Sequence, residues 1–146
     1  MLKYLAAIHH TFADMPILLN KAPLNVGDIT YEIKDGILFI ERHVRAQYTL
    51  DSFQEIVMKR LAYTEGFSYP LVIFGKDIIS IDKAARGFMA GDAAKNTLSR
   101  AFVLEKAQGK LQLQFFMETN KQPVPTKIFS EMEPAIEWSK QFRIGA

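Results

Sequence analysis

Apolar and polar positions change their period several times along the chain, and each change predicts an element of structure. Residues 29–33 and 37–41 are β-rich runs on either side of Asp35 and Gly36. Because glycine accepts the positive φ of a tight turn, this arrangement predicts an antiparallel hairpin. We expect these two strands to open the folded domain.

A helical period follows over residues 49–66. Its apolar face comprises Phe53, Ile56, Val57, Leu61 and Thr64. Polar positions off that face or at its margin are Gln54, Glu55, Lys59 and Arg60. Ser52 followed by Glu55 predicts a capping box at the start of the helix, and Gly66 is a natural stop.

The junction around residues 71–86 organises the rest of the chain. Residues 71–74 are apolar and bounded by Pro70 and Gly75, which predicts a buried strand. The strand is followed by a turn, a second apolar step and a helix that ends near Gly91. Ser80 and Asp82 are both good N-cap residues for that helix. Since α/β folds place ligands and phosphates where a strand end leads into a helix, we predict an interaction site here. Its candidate residues are Lys76, Asp77, Ser80, Asp82 and Arg86.

The second half continues the alternation of strands and helices. Residues 100–105 predict a central strand, and residues 126–129 predict a final short strand. Residues 110–118 fit both strand alternation and helical spacing, and the need for a crossover between parallel strands favours a helix. Ser130 and Glu133 predict a capping box for a closing helix. The order β-β-α-β-α-β-α-β-α predicts an α/β fold, a mixed sheet with helices on its faces.

Residues 1–27 differ from the rest and are predicted to be an N-terminal extension, with residues 28–146 as the domain. Leu2, Leu5 and Phe12 fall at helical spacing, which favours a short amphipathic helix. Self-association through residues 1–26 or through an open sheet edge is one expectation, and a homodimer would be its simplest form.

Composition narrows the classes of function. The chain of 146 residues contains no cysteine, which excludes disulfides and thiolate chemistry and fits a cytoplasmic location. His9 and His10 are neighbours, so they cannot form a helical metal pair, and we expect no metal site. The net charge of +2 is spread along the chain, so we expect no nucleic-acid partner. The run from Arg42 to Arg45 is interpreted as a solvated strand edge.

Membrane and enzyme signatures are also lacking in the sequence. No stretch approaches the ~20 apolar residues of a membrane-spanning helix, and the apolar run near the N-terminus is shorter than a signal-peptide core. Walker loops, dinucleotide-binding glycine fingerprints, nucleophile elbows and zinc-protease motifs do not occur. The expectation is a non-enzymatic protein with no cofactor and no catalytic residue.

The element order, with the sequence YEIKDGIL at residues 31–38 and PTKIF at residues 125–129, resembles the STAS or SpoIIAA-like domain family. The resemblance covers roughly residues 28–142 and is greatest to small bacterial members that consist of this domain alone. It implies a regulatory or protein-interaction role with an unidentified protein partner. In the anti-sigma factor antagonists of that family, a serine at the start of the helix after the third strand is phosphorylated, and Ser80 is the nearest match by position. The small-residue loop around that serine is not matched, because Ser80 lies between Ile79 and Ile81.

Two hypotheses follow. The first is a non-enzymatic STAS-like domain that binds a protein partner and is switched by phosphorylation at Ser80. The alternative is a module for a small ligand or lipid, with an apolar pocket between the sheet and the helices. Candidate lining residues for that pocket are Phe88, Met89, Phe115 and Phe116, whose ordinary interpretation is hydrophobic core.

Overall fold

The predicted hairpin forms, and its turn shows why. In a computed structural model, which describes residues 18–145, Asp35 and Gly36 adopt φ values of 51° and 74°. Two consecutive residues with positive φ make a turn that matches the twist of the flanking strands. The predicted helix near Leu2 and the pair His9-His10 lie outside the described residues.

Eight strands and four α-helices occur between residues 18 and 145. The strands are β1 (Lys21–Val26), β2 (Ile29–Lys34), β3 (Ile37–Arg42), β4 (Ala46–Tyr48), β5 (Tyr69–Gly75), β6 (Ile78–Ile81), β7 (Thr97–Val103) and β8 (Thr126–Phe129). The helices are α1 (Leu50–Tyr63), α2 (Lys83–Met89), α3 (Ala107–Thr119) and α4 (Met132–Lys140), with a 3₁₀ turn at Asp92–Ala94.

The main sheet has six strands in the order β1-β2-β3-β5-β7-β8. Strands β1 to β3 are antiparallel, whereas β3, β5, β7 and β8 run parallel. Strands β4 and β6 form a separate parallel pair. The predicted mixed α/β class is confirmed, and so is the helix predicted over residues 110–118.

Strand β1 corrects the predicted domain boundary. Residues 21–26 fall within the predicted N-terminal extension, but they pair with β2 as the edge strand of the sheet. Most of β1 is exposed and its burial does not alternate, so the hydrophobic pattern gave no signal. Pro23 is compatible with this position because an edge strand does not need every backbone N–H.

Two predicted helix caps are wrong. Helix α1 begins one turn earlier than expected, and its capping box joins Thr49 and Ser52 rather than Ser52 and Glu55. Helix α4 has Glu131 as its N-cap residue with no side-chain hydrogen bond, so the predicted box of Ser130 and Glu133 does not form. Sequence spacing identifies residues able to cap a helix, but the position of the first turn decides which one does.

The sheet buries two faces of different construction. On one face, Ile37, Val72 and Ala101 pack against Ala135 of α4, and this is the α4 face. On the other, α1, α2 and α3 cover alternate residues of the same strands, such as Leu38, Leu71 and Phe102. This second side, the three-helix face, holds the larger share of the core.

Candidate functional site

The predicted junction site does not assemble into one cluster. Asp82 is the N-cap of α2, and its Oδ1 accepts a hydrogen bond from the Ala85 N–H at 2.8 Å. Arg86 donates from Nη1 to the Ile81 carbonyl oxygen at 2.7 Å. Ser80 is exposed on β6, beside Gln47 of β4, so the expectation that it caps the helix is wrong.

Lys76 and Asp77 lie in a different place, at the carboxyl ends of the parallel strands. They line an open groove of about 750 Å³. The Asp77 Oδ2 atom is 3.2 Å from Nζ of Lys106. Other charged or titratable residues along this groove are Glu41, His43, Arg45, Glu105 and Glu131. Because both signs of charge alternate here, the groove does not define one ligand chemistry.

The residues of the predicted apolar pocket also separate. Met89 and Phe116 are buried, and Phe88 is half-buried with its ring edge-to-face against Phe53, 5.8 Å between centroids. Phe115 is 68% exposed, so it does not belong to the interior. Of these four residues, Met89 lines the cavity described next.

A cavity of about 70 Å³ lies on the three-helix face, between the sheet and helices α1 and α2. A single water needs roughly 10–15 Å³ of such a cavity, so the space fits on the order of five water-sized groups. Its apolar lining is Ile29, Ile40, Tyr48, Phe53, Ile56, Val57, Leu71, Ile73, Ile78, Ile81, Met89, Ala93 and Phe102. The remaining lining residues are Arg42, Arg60 and Arg100.

These three residues, the arginine cluster, are almost fully buried. Arg42 is 4% exposed, Arg60 is 2% exposed and Arg100 is 3% exposed. Arginine is rarely buried to this extent unless it is paired with an acid. They are the only buried charged residues between residues 18 and 145. The arginine cluster is therefore the most unusual feature of this interior.

Each guanidinium is held by neutral oxygen atoms. Arg42 donates from Nε to the Lys76 carbonyl at 2.9 Å. Arg60 donates from Nη2 to the carbonyls of Ala93 and Lys95, at 3.1 and 2.9 Å. Arg100 donates from Nη1 to the Met89 carbonyl and from Nη2 to Oε1 of Gln122, both at 2.9 Å. These contacts fix the three side chains without neutralising their charge.

Donor atoms remain unused after these contacts. Arg42 Nη2, Arg60 Nη1 and Arg100 Nε are buried and have no hydrogen-bond partner within the described part of the chain. The ion pairs formed by residues 18–145 do not include any of these arginines. A buried cation without a counter-ion is costly, since neither water nor a carboxylate offsets its loss of hydration.

Burial shifts the pKa of these groups without removing their charge at neutral pH. It lowers the pKa of Arg60 to about 10, and the nearby Tyr31 phenol partly opposes that change. Burial also lowers the pKa of Arg100 to about 10, and the positive charge of Arg60 adds to this effect. The pKa of Arg42 is lowered by burial, against the opposing effects of Tyr48 and Asp77. Positive charge therefore accumulates around one cavity.

The sequence contains a signal for the burial of Arg42 and Arg60. Arg60 lies four residues after Ile56 and three after Val57, which is the spacing of one helical face. Arg42 is in phase with Leu38 and Ile40 on a strand, so it shares their face. The interpretations of Arg42 as a solvated edge residue and of Arg60 as a polar margin are both wrong. β3 is an inner strand of the sheet, between β2 and β5.

A surface groove of about 380 Å³ adjoins the cavity. Ile29, Arg42, Tyr48 and Ile56 line both spaces, so these side chains form the wall between them. The groove opens between β2, β4 and the first turns of α1. Arg42, a member of the arginine cluster, is thus reached from this groove as well as from the cavity.

Two further properties concern the described part of the chain. No helix there is long and apolar enough to cross a membrane. Residues 18–145 also contain no group of three or more His, Asp or Glu side chains placed to hold a metal ion.

Together, these features define a small mixed α/β domain with an arginine-lined cavity under one face of its sheet. Residues 31–143 match the model of a family described as a domain of unknown function, DUF7793, and the chain belongs to that family. No curated protein matches the chain. A solved structure of an uncharacterised protein from the DUF3478 family, from Shewanella loihica PV-4, has a SpoIIAA-like fold and is similar to this chain. The two share 12% sequence identity with a TM-score of 0.47, over 86% of this chain and 98% of that one.

Proposed function

We propose that this domain is a non-enzymatic binding module whose site for a small ligand is the arginine-lined cavity. The observation that carries the proposal is the arginine cluster itself, three buried guanidiniums with unused N–H donors around one space. A core built for stability alone would fill that space with apolar side chains. Concave sites with a mostly apolar lining and a few polar groups are typical of ligand-binding proteins.

The geometry favours this function over a phosphorylation switch at Ser80. Ser80 lies two residues before the N-cap of α2, and the Asp82 carboxylate already accepts the hydrogen bond from the Ala85 amide. A phosphate on Ser80 would therefore stand near a like charge and would not gain the first free amides of the helix.

The STAS resemblance implies a regulatory role, and in this proposal regulation is the consequence of ligand binding. Arg42 links the cavity to the groove of about 750 Å³ that Lys76 and Asp77 line. Its Nε donates to the Lys76 carbonyl, and its own carbonyl accepts from the Lys76 N–H at 2.9 Å. A ligand that repositions Arg42 also repositions Lys76 on the surface. A protein partner that contacts the groove near Lys76 and Asp77 would sense that change.

Mass spectrometry of protein purified from its own host tests the proposal first. We expect an increment in the native spectrum that disappears on denaturation, since the ligand is held without a covalent bond. A bare chain in both spectra, and no change in the amide NMR spectrum when small molecules extracted from the host are added, would contradict it.

A pair of variants on α1 locates the bound ligand. Val57→Leu narrows the cavity, because Val57 is buried and lines it, and should weaken retention of the ligand. Met58→Leu changes the adjacent residue, which is 68% exposed, and should leave retention unchanged. Equal retention in the two variants would place the ligand elsewhere.

A further inference from the structure

The arginine cluster also indicates what kind of ligand the cavity takes. We infer that it binds a small monocarboxylate of about two to four carbons, with the carboxylate on the arginines and the alkyl part on the apolar lining. This inference rests on the proposed function and adds the chemical class of the ligand. Charge, donor geometry and size each support it.

Charge requires an anion. Arg42, Arg60 and Arg100 line one cavity, and their hydrogen-bond partners are neutral: carbonyl and amide oxygens, and for Arg42 also the Tyr48 phenol. No carboxylate between residues 18 and 145 forms an ion pair with them. A bound anion would supply the missing counter-charge in surroundings where water does not screen it.

Donor geometry favours a planar oxyanion. Every member of the arginine cluster keeps one buried nitrogen without a partner, namely Arg42 Nη2, Arg60 Nη1 and Arg100 Nε. Guanidinium N–H groups lie in a plane that matches the oxygen atoms of a carboxylate, and such charged hydrogen bonds are stronger than neutral ones. Three such donors are sufficient for the two oxygens of one carboxylate.

Size and lining limit the rest of the ligand. The cavity of about 70 Å³ fits on the order of five non-hydrogen atoms. Ile40, Ile73 and Phe102 line it together with other apolar side chains. A phosphate or sulfate would turn oxygen atoms toward these apolar residues, and those oxygen atoms would lack hydrogen-bond partners. A short alkyl chain instead meets surfaces of its own kind.

Ligands of matched shape test the charge requirement in the unmodified protein. Sodium propionate, propionamide and sodium chloride are each titrated at the same ionic strength, and the thermal unfolding midpoint and the heat of binding are recorded. We expect propionate to raise the midpoint to a plateau and to bind at least about tenfold more tightly than propionamide, as one charged hydrogen bond predicts. Chloride should produce no saturable shift.

Arginine variants test the location of the site. Arg60→Met removes one guanidinium and keeps an apolar side chain of similar length, and we expect at least about tenfold weaker binding of propionate. Arg143→Met is the matched control, because Arg143 pairs with Asp35 near the surface and lies away from the cavity. If Arg60→Met does not fold, Arg100→Lys replaces it, since lysine keeps the charge but loses the planar donors.

The outcomes separate this inference from the proposed function. Equal binding of propionate and propionamide, or an equal effect of chloride, would overturn the carboxylate inference. So would unchanged propionate binding in Arg60→Met or its replacement. In each of these cases a ligand retained in the native mass spectrum would leave the binding function in place. If neither propionate nor propionamide nor chloride binds, and the native mass spectrum shows the bare chain, both the carboxylate inference and the proposed binding function are overturned.

Discussion

The two faces of the sheet differ in how they are filled. On the α4 face, Val72, Ala101 and Ala135 are completely inaccessible to solvent and pack closely. On the three-helix face, the core contains a cavity and the whole arginine cluster. The same strands supply both faces, because successive residues point to opposite sides. One face is built as an ordinary core, whereas the other departs from it.

This difference indicates a division of roles. Close packing on the α4 face contributes stability through buried apolar area. The three-helix face spends part of that stability on buried charge and unfilled volume. Native proteins accept such costs mainly at functional sites. The comparison can be broken by variants that affect one face and spare the other.

The largest expected effect is at Gly75, which holds the backbone next to Arg42. Gly75 has φ +106°, and a Cβ there would collide with the backbone of Arg42. We expect Gly75→Ala to lower the free energy of unfolding by about 3 kcal/mol, because strained backbone and steric clash add. Urea unfolding followed by circular dichroism measures this.

Gly87 provides the matched control for Gly75. It lies within α2, and nothing lies within 4 Å of a Cβ placed there. Gly87→Ala should raise the free energy of unfolding by up to about 1 kcal/mol through helix propensity. A Gly75→Ala variant as stable as the wild type would refute the close approach between Gly75 and the backbone of Arg42.

A pair of valine substitutions sharpens the contrast between the faces. Val72 is fully buried on the α4 face, so Val72→Leu should cost about 1–3 kcal/mol through overpacking. Val57 lines the cavity, so the extra methylene of Val57→Leu has space, and we expect a change below about 0.5 kcal/mol. Chemical denaturation of both variants measures the difference. Equal costs would show that the two faces are packed alike.

The smallest effect concerns tyrosines on the three-helix face in alkaline solution. Burial raises the pKa of Tyr31 above its ordinary value of 10.0, and Tyr48 shifts in the same direction. Above pH 10 the unfolded chain therefore loses phenolic protons that the folded protein keeps, so the contribution of these tyrosines to stability falls as pH rises. For Tyr31 the loss should be about 0.8 kcal/mol between pH 9 and pH 10.5.

Tyr31→Phe tests this contribution. The lowered pKa values of Arg60 and Arg100 act in the opposite direction, since the folded protein releases those protons first as pH rises above about 10. The wild type and Tyr31→Phe share the effect of Arg100, so the difference between their slopes of unfolding free energy against pH reports Tyr31 together with its interaction with Arg60. Urea midpoints at each pH measure it, and parallel slopes would contradict the raised pKa.

Much of the fold followed from local patterns. The Asp35-Gly36 turn, the helix over residues 50–63 and the buried strand after Pro70 all follow from residue types and spacing, and the structure confirms them. Strands β1, β4 and β6 were not predicted. They are short or exposed and depend on partners distant in sequence, so their own residues carry little periodic signal.

The candidate site was less accessible to sequence reasoning. Lys76, Asp77, Ser80, Asp82 and Arg86 are adjacent in sequence, yet the structure divides them among a groove, an exposed strand and a helix cap. The arginine cluster comes from β3, α1 and β7, which are far apart in the chain. A local motif could not report it.

The sequence by itself determined most of the helices and strands β2, β3, β5, β7 and β8, because periodicity and turn chemistry act over a few residues. It also placed Arg42 and Arg60 in phase with apolar neighbours, and so on buried faces. Only the tertiary structure decided that these arginines meet Arg100 around one cavity without an acidic partner. Convergence of that kind depends on strand order and helix packing, which join residues that no local interaction connects.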